Sequence, residues 1–178
     1  MMQAGAFRSV SRVIAADAAT VYRLVSDVTR VGEWSPEARS ARWLGGATGP
    51  GVGARFRGRS RWRLMTWART CVVEEAEPGK KFVFRTVPAA RTPDSTRWAY
   101  EFQELPEGTR VTESYEIVEA LPGWIQRIAV SPLLPHHFDL RPHMEETLAR
   151  LEMGAGLLPG QAAAPPGPVD LVAMYVMH

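Results

Sequence analysis

The stretch Ser95–Val118, STRWAYEFQELPEGTRVTESYEIV, reads as a hairpin that turns at Pro106-Glu107-Gly108. Proline pre-sets φ for a turn and glycine accepts the positive φ that closes it. Centred there, Phe102 faces Val111, Tyr100 faces Glu113 and Trp98 faces Tyr115. The opposite face carries Arg97, Glu101 and Gln103 against Thr112, Ser114 and Glu116. One side is aromatic and the other polar, as in an antiparallel sheet with a single buried face.

Upstream, Glu77-Pro78-Gly79-Lys80 is a second turn of the same kind. Centring a hairpin on Pro78-Gly79 pairs Val73 with Phe84 and Cys71 with Thr86, with Trp67 and Arg69 in the same phase. Further strands are expected at Val10–Ile14, Ala41–Leu44, Ala54–Ser60, Met65–Ala76, Lys81–Val87, Ser95–Gln103 and Thr109–Val118, with a short connection near Arg61. Asp17 suits the N-cap of a helix over Ala18–Ser26, where Val21, Leu24, Val25 and Val28 form an apolar stripe. A second short helix over Thr29–Trp34 stops at Ser35-Pro36.

After the strands, Gly123–Val130 is a short amphipathic piece interrupted by Pro132 and Pro135. Met144, Leu148 and Leu151 then recur at i, i+4 and i+7, predicting a long helix to about Glu152, with Pro142 in its first turn or kinking it and Gly154 and Gly156 ending it. Strands joined by short turns make an antiparallel sheet, and helices gathered at both ends of the chain make an α+β fold. The expected organisation is one ligand-binding domain over residues 1–153, followed by a Pro/Gly/Ala-rich linker and a short apolar tail over 154–178.

Composition narrows the function classes. Of 178 residues 46% are hydrophobic, enough for a sizeable core, and the formal net charge is only +2. The basic residues are almost all Arg, a usage that looks like a GC-rich bacterial genome. The densest basic stretch, Arg55–Arg63, alternates with other residues as one face of a strand would, so no nucleic-acid partner is expected. Cys71 is the only cysteine, which rules out an internal disulfide and points to a reducing, cytoplasmic setting. No leader pattern and no run of about 18 apolar residues is present, so stable membrane insertion is not expected.

A single helix carrying Met144, Leu148 and Leu151 covers so wide an aromatic face only in part. The face either fills a solid core or leaves an apolar cavity with a few polar groups, the usual form of a small-ligand site.

The segments Ala18-Ala19-Thr20-Val21-Tyr22, Ser26-Asp27-Val28, Glu33-Trp34-Ser35-Pro36, Gly53-Ala54-Arg55-Phe56-Arg57-Gly58, Val73 with Glu77-Pro78-Gly79, and Gly108–Ser114 resemble the START-like, Bet v 1-like (SRPBCC) superfamily. Within it they are similar to the bacterial polyketide cyclase/dehydrase and lipid-transport proteins, over roughly residues 7–152. The resemblance implies a helix-grip fold: a curved antiparallel sheet of about six to seven strands wrapped around a long C-terminal helix, with two short helices after the first strand. It also implies an internal cavity for a hydrophobic or amphipathic molecule, and it transfers no catalytic signature. Pro142 and the tail after Gly154 depart from the family pattern and bear on the cavity mouth and the oligomeric state.

The expected ligand-lining residues are Trp34, Trp43, Phe56, Trp67, Arg69, Val73, Phe84, Trp98, Tyr100, Glu113, Tyr115, Met144 and Leu148. Glu113 stands out, because its register puts a carboxylate on an aromatic face, where a bare charge is costly to bury. Either it forms an ion pair, with Arg69 as the natural partner, or it serves a ligand as hydrogen-bond acceptor or general base. Glu113, Arg69 and Tyr100 are thus the catalytic candidates if any reaction occurs.

His136, Asp139 and His143 could share one helical face and ligate a metal, but Pro135 and Pro142 interrupt that helix and no further ligands appear. No metal and no cofactor is expected. Cys71 lacks an activating His, as do Ser35 and Ser114. The Gly-rich Gly45–Gly51 lacks the Lys-Ser/Thr of a phosphate loop and reads as a lid or a hairpin connection, with Trp34 and Trp43 flanking an entrance. The functions that follow are binding or transport of a polyketide or lipid, a cyclase/dehydratase acting on a poly-β-ketone, or an interaction module dimerising through Leu171–Met177.

Overall fold

The structure, a computed structural model, describes residues 3–90, 93–126 and 139–156. In chain order these form β1 (Phe7–Ile14), α1 (Ala18–Ser26), a 3₁₀ turn (Val28–Arg30), α2 (Val31–Trp34), β2 (Ala38–Leu44), β3 (Arg55–Trp62), β4 (Met65–Glu77), β5 (Lys81–Thr86), β6 (Ser95–Leu105), β7 (Gly108–Glu119), α3 (Gly123–Ile125) and α4 (Arg141–Gly156). The strands make one antiparallel seven-stranded sheet in the order β1-β7-β6-β5-β4-β3-β2. This is the helix-grip α+β arrangement, with α1, α2 and α4 against one face of the sheet. No described helix is long and apolar enough to cross a membrane.

Local chemistry fixes the elements. Asp17 caps α1 by accepting from the Thr20 amide at 2.8 Å and the Thr20 hydroxyl at 2.7 Å. The expected helix over Thr29–Trp34 is divided into the 3₁₀ turn and α2, because the Asp27 carboxylate accepts from the Thr29 amide and tightens the first turn. β3 runs on to Trp62, so its hairpin to β4 closes two residues later than expected, at Arg63-Leu64, with Arg63 at φ 51°. At the start of β7, Gly108 holds φ +138°, and a Cβ there would lie 2.2 Å from the Ile14 carbonyl oxygen. Only glycine lets β7 pass so close to the end of β1.

The hairpin pairings hold: Trp98–Tyr115, Tyr100–Glu113 and Phe102–Val111 face each other across β6 and β7. Val73–Phe84 and Cys71–Thr86 do so across β4 and β5. The β4–β5 turn itself contains three residues, with Glu77 opposite Lys81, and a bulge at Glu74 restores the pairing beyond it. On the outer face the bulged Glu74 accepts from Arg85 at 2.8 Å and from Arg97 at 2.9 Å. Arg55, Arg57, Arg59 and Arg61 alternate outward along β3, all exposed, as the basic stretch predicts.

α4 lays Met144, Leu148, Leu151 and Ala155 against the sheet, with Pro142 in its first turn. It continues through Gly154 to Gly156 instead of stopping near Glu152, because buried Ala155 adds contacts that offset the low helix propensity of its flanking glycines. Toward α1 the interior is solid: Tyr22 meets Phe82 and Phe102 edge-on, at 6.4 and 5.7 Å between ring centroids, beside Val21, Val25, Leu148 and Leu151. Toward the start of α4 the filling stops. The Gly123–Val130 piece is helical over Gly123–Ile125, and its residues past Gln126 lie outside the described residues, as do Pro132, Pro135 and the tail Leu171–Met177.

Candidate functional site

Between the aromatic face of the sheet, α2 and the first turns of α4 lies a cavity of about 270 Å³. Its wall is mainly apolar. Of the residues expected to line it, Trp34, Phe56, Trp67, Arg69, Phe84, Trp98, Tyr100, Glu113 and Met144 do so. Four do not. Trp43 turns its ring edge-on to Phe56 at 5.6 Å, behind the wall. Val73 and Leu148 are spent in the solid part of the core. Tyr115 lies against Trp98 at 5.4 Å and packs with Ile117 and Met144.

Glu113 projects from β7 into this space and is only 3% exposed. Its Oε1 accepts a hydrogen bond from the Tyr100 hydroxyl at 2.7 Å, and its Oε2 has no partner among the described residues. Burial pushes the carboxyl up to about 8, against the smaller opposing effect of the Tyr100 hydrogen bond. Tyr100 is itself driven upward by burial and by the neighbouring carboxyl. At neutral pH Glu113 is therefore mostly uncharged.

The expected ion pair between Glu113 and Arg69 does not form. Arg69 binds Asp94, donating from one terminal nitrogen to the carboxylate at 2.8 Å and from the other to the Asp94 carbonyl at 2.5 Å. The reason lies in the level along the strands. Following the pairings from Glu113 through Tyr100 and Phe82 arrives on β4 at Ala76, at the far end of the strand from Arg69. The two side chains therefore enter the same cavity at different levels.

Among the described residues, the buried side-chain polar atoms without a partner are Trp34 Nε1, Arg69 Nε and Glu113 Oε2. All three residues line the cavity. Native interiors satisfy nearly all such atoms, so orphans gathered around one void mark a place where something else supplies the partner.

The fold is matched by known proteins. The family described as polyketide cyclase/dehydrase and lipid transport matches residues 8–152. The chain belongs to this family. A solution structure of the Polyketide_cyc-like protein Cgl2372 from Corynebacterium glutamicum is similar at 28% identity and TM-score 0.58, covering 92% of this chain and all of that one. Protein CV1439 from Chromobacterium violaceum is similar in fold at 16% identity and TM-score 0.62, covering 84% and 96% of the two chains. The di-domain ARO/CYC StfQ from the steffimycin biosynthetic pathway gives TM-score 0.67 at 11% identity, over 84% of this chain and 50% of StfQ. No functionally curated protein matches.

In this polyketide cyclase/dehydrase-family chain, two charged wall residues had no reading in the sequence as site residues. Asp94 sits in the β5–β6 connection, where no hairpin register ties it to Arg69. Glu37 follows Ser35-Pro36, and its Oε1 lies 2.6 Å from His143 Nδ1, joining the α2–β2 segment to α4. His143 stacks on Trp62, with ring centroids 5.0 Å apart. Of the metal candidates, Asp139 instead pairs with Arg141 outside the cavity, its carboxyl held down at about 2 mainly by that side-chain hydrogen bond, while His136 lies outside the described residues. Among the described residues, no group of three His, Cys, Asp or Glu side chains converges.

Cys71 lines the wall with its thiol pushed up to about 12 by burial, which leaves it a poor nucleophile. Ser35 Oγ accepts from the Ala38 amide at 3.0 Å, a turn-forming role. The glycine loop after Leu44 connects β2 to β3, and none of its residues lines the cavity. It is a hairpin connection, so the lid reading lapses.

Proposed function

We propose that this protein binds, and in that way carries, a hydrophobic or amphipathic small molecule such as a polyketide or lipid in its internal cavity. One observation carries the reading: a mainly apolar void of about 270 Å³ whose wall holds Trp34 Nε1, Arg69 Nε and Glu113 Oε2 without partners among the described residues. The size suits a ring system, since a cavity of about 150 Å³ takes up one benzene. Desolvation of ligand carbon, at roughly 25 cal/mol per Å² buried, supplies most of the affinity. The three polar atoms orient the ligand, because each regains a hydrogen bond only in the right pose. A cytoplasmic place of action is part of this proposal and rests on the single, buried cysteine.

A second reading, cyclisation or dehydration of a poly-β-ketone, is favoured by one feature. The same cavity holds a buried carboxyl and a guanidinium, each with an open valence. Holding a chain folded and stabilising enolate charge is what such a site can contribute. The likeness to the ARO/CYC StfQ points the same way.

Native mass spectrometry of protein purified from its own host, followed by extraction, tests both. A small molecule recovered unchanged after prolonged incubation supports carriage. Conversion to a dehydrated or cyclised product supports catalysis. Protein that emerges empty, and takes up no apolar molecule afterwards, overturns both.

A further inference from the structure

We propose that Glu113 meets its ligand as a neutral carboxylic acid whose Oε2–H donates to a carbonyl-type oxygen, so that the cavity selects uncharged ketones or aldehydes over carboxylates. This rests on the reading of the cavity as a ligand site and adds the chemical class of what enters it.

The geometry sets the direction of the hydrogen bond. Oε1 already accepts from the Tyr100 hydroxyl at 2.7 Å, and Oε2 is buried without a partner among the described residues. An anionic Glu113 would need a cation or a second donor at Oε2, since one hydrogen bond does not offset burying a charge. None faces it. Across β1 the opposing residue is Val10, across β6 it is Tyr100, and α4 presents Met144 and Thr147 to the cavity. Among the described residues, the other charged or titratable groups in the wall are Arg69 and Cys71 from β4, Asp94 from the β5–β6 connection, Glu37 before β2 and His143 from α4. Arg69 is matched by Asp94, and His143 by Glu37. The lift of the Glu113 carboxyl to about 8 by burial agrees with a resident proton.

With that proton in place, all three open valences are donors, because indole Nε1 and guanidinium Nε carry hydrogen and no lone pair for acceptance. An uncharged acceptor on an apolar body gives the Glu113 donor its partner without bringing in a charge. A carboxylate would be desolvated in a cavity whose described guanidinium, Arg69, is already paired with Asp94, and would face Glu113 as a like charge on any ionisation.

The test uses three rigid probes of one shape: fluorene, 9-fluorenone and fluorene-9-carboxylate. Uptake is followed by quenching of tryptophan emission, since Trp34, Trp67 and Trp98 line the wall. At pH 6.5 fluorenone should bind about fivefold more tightly than fluorene, the worth of one net hydrogen bond. The carboxylate should bind more weakly than either. Raising the pH to 9.5 should erase the ketone preference. E113Q, whose amide still donates, should keep it at both pH values, and E113L should lose it at both. Circular dichroism verifies that each variant is folded, and the wild-type pH series stands without any variant. Equal affinity for fluorene and fluorenone at pH 6.5, tightest binding of the carboxylate, or an undiminished ketone preference in E113L overturns the donor assignment alone. Failure of all three probes to bind overturns the cavity reading and this inference with it.

Discussion

Glu113 turns the cost of burying an acid into a measurable pH dependence. Its carboxyl titrates near 4.3 in an unfolded chain and at about 8 in the fold. Between those values the native state holds the proton that the unfolded state has released, so stability is full below about pH 4 and falls as the pH rises toward 8. The slope approaches ~1.4 kcal/mol per pH unit for one group, a loss of a few kcal/mol in all. E113Q removes the titration. Its urea unfolding midpoint should change less than that of wild type between pH 5 and pH 8, and should exceed it at pH 8. A wild-type midpoint that rises over this interval as in E113Q would contradict the assignment. Arg69 makes the opposite case, a charge stabilised by its partner. D94A leaves a mostly buried guanidinium without its carboxylate and should cost about 3 kcal/mol in denaturant unfolding.

At the scale of elements, the hairpins β3–β4, β4–β5 and β6–β7 are held by their turns, and Gly108, where β7 leaves its turn beside the end of β1, is the tightest of these points. G108A would put a Cβ 2.2 Å from the Ile14 carbonyl oxygen in a backbone region closed to alanine. The expected loss is about 3 kcal/mol or more, read as a lowered thermal midpoint, because neither β1 nor β7 can retreat without giving up its ladder. The same turns explain what the sequence made legible. A turn of known centre sets the pairing of its two arms, so Tyr100 opposite Glu113 and Val73 opposite Phe84 could be read directly. Phase was legible too, since alternation put Arg69 and Glu113 on one face. Level across several strands was not, because it accumulates through every hairpin and through the bulge at Glu74. Phase alone therefore pairs Arg69 with Glu113, and Asp94, on a connection with no periodicity, carries no signal in the sequence. The cavity wall followed the same division. Residues on hairpin arms, such as Trp98 and Phe84, were legible from register, whereas Val73 and Leu148 have the right phase but lie where α1 and α4 close the core.

Across the whole molecule the interior divides into a solid half under α1 and an open half under the start of α4, and the open half persists because small residues stand where bulk would fill it. Gly58 is one of them. It lies on β3 between inward-facing Phe56 and Ser60 and lines the cavity, and a Cβ built on it meets nothing within 4 Å. Glycine in a strand gives up packing and ordering energy, so its presence there keeps room in the cavity at the expense of stability. G58L should therefore reverse the balance. A leucine side chain entering the void buries new apolar surface and raises stability by about 1 kcal/mol or more. The same side chain occupies the space a ligand needs, so uptake of 9-fluorenone should fall at least tenfold while the folded spectrum is retained. Thermal unfolding and the tryptophan-quenching titration, made on one preparation, read the two effects together. A variant that gains stability yet still takes up the probe with wild-type affinity would place the binding site elsewhere than in this cavity.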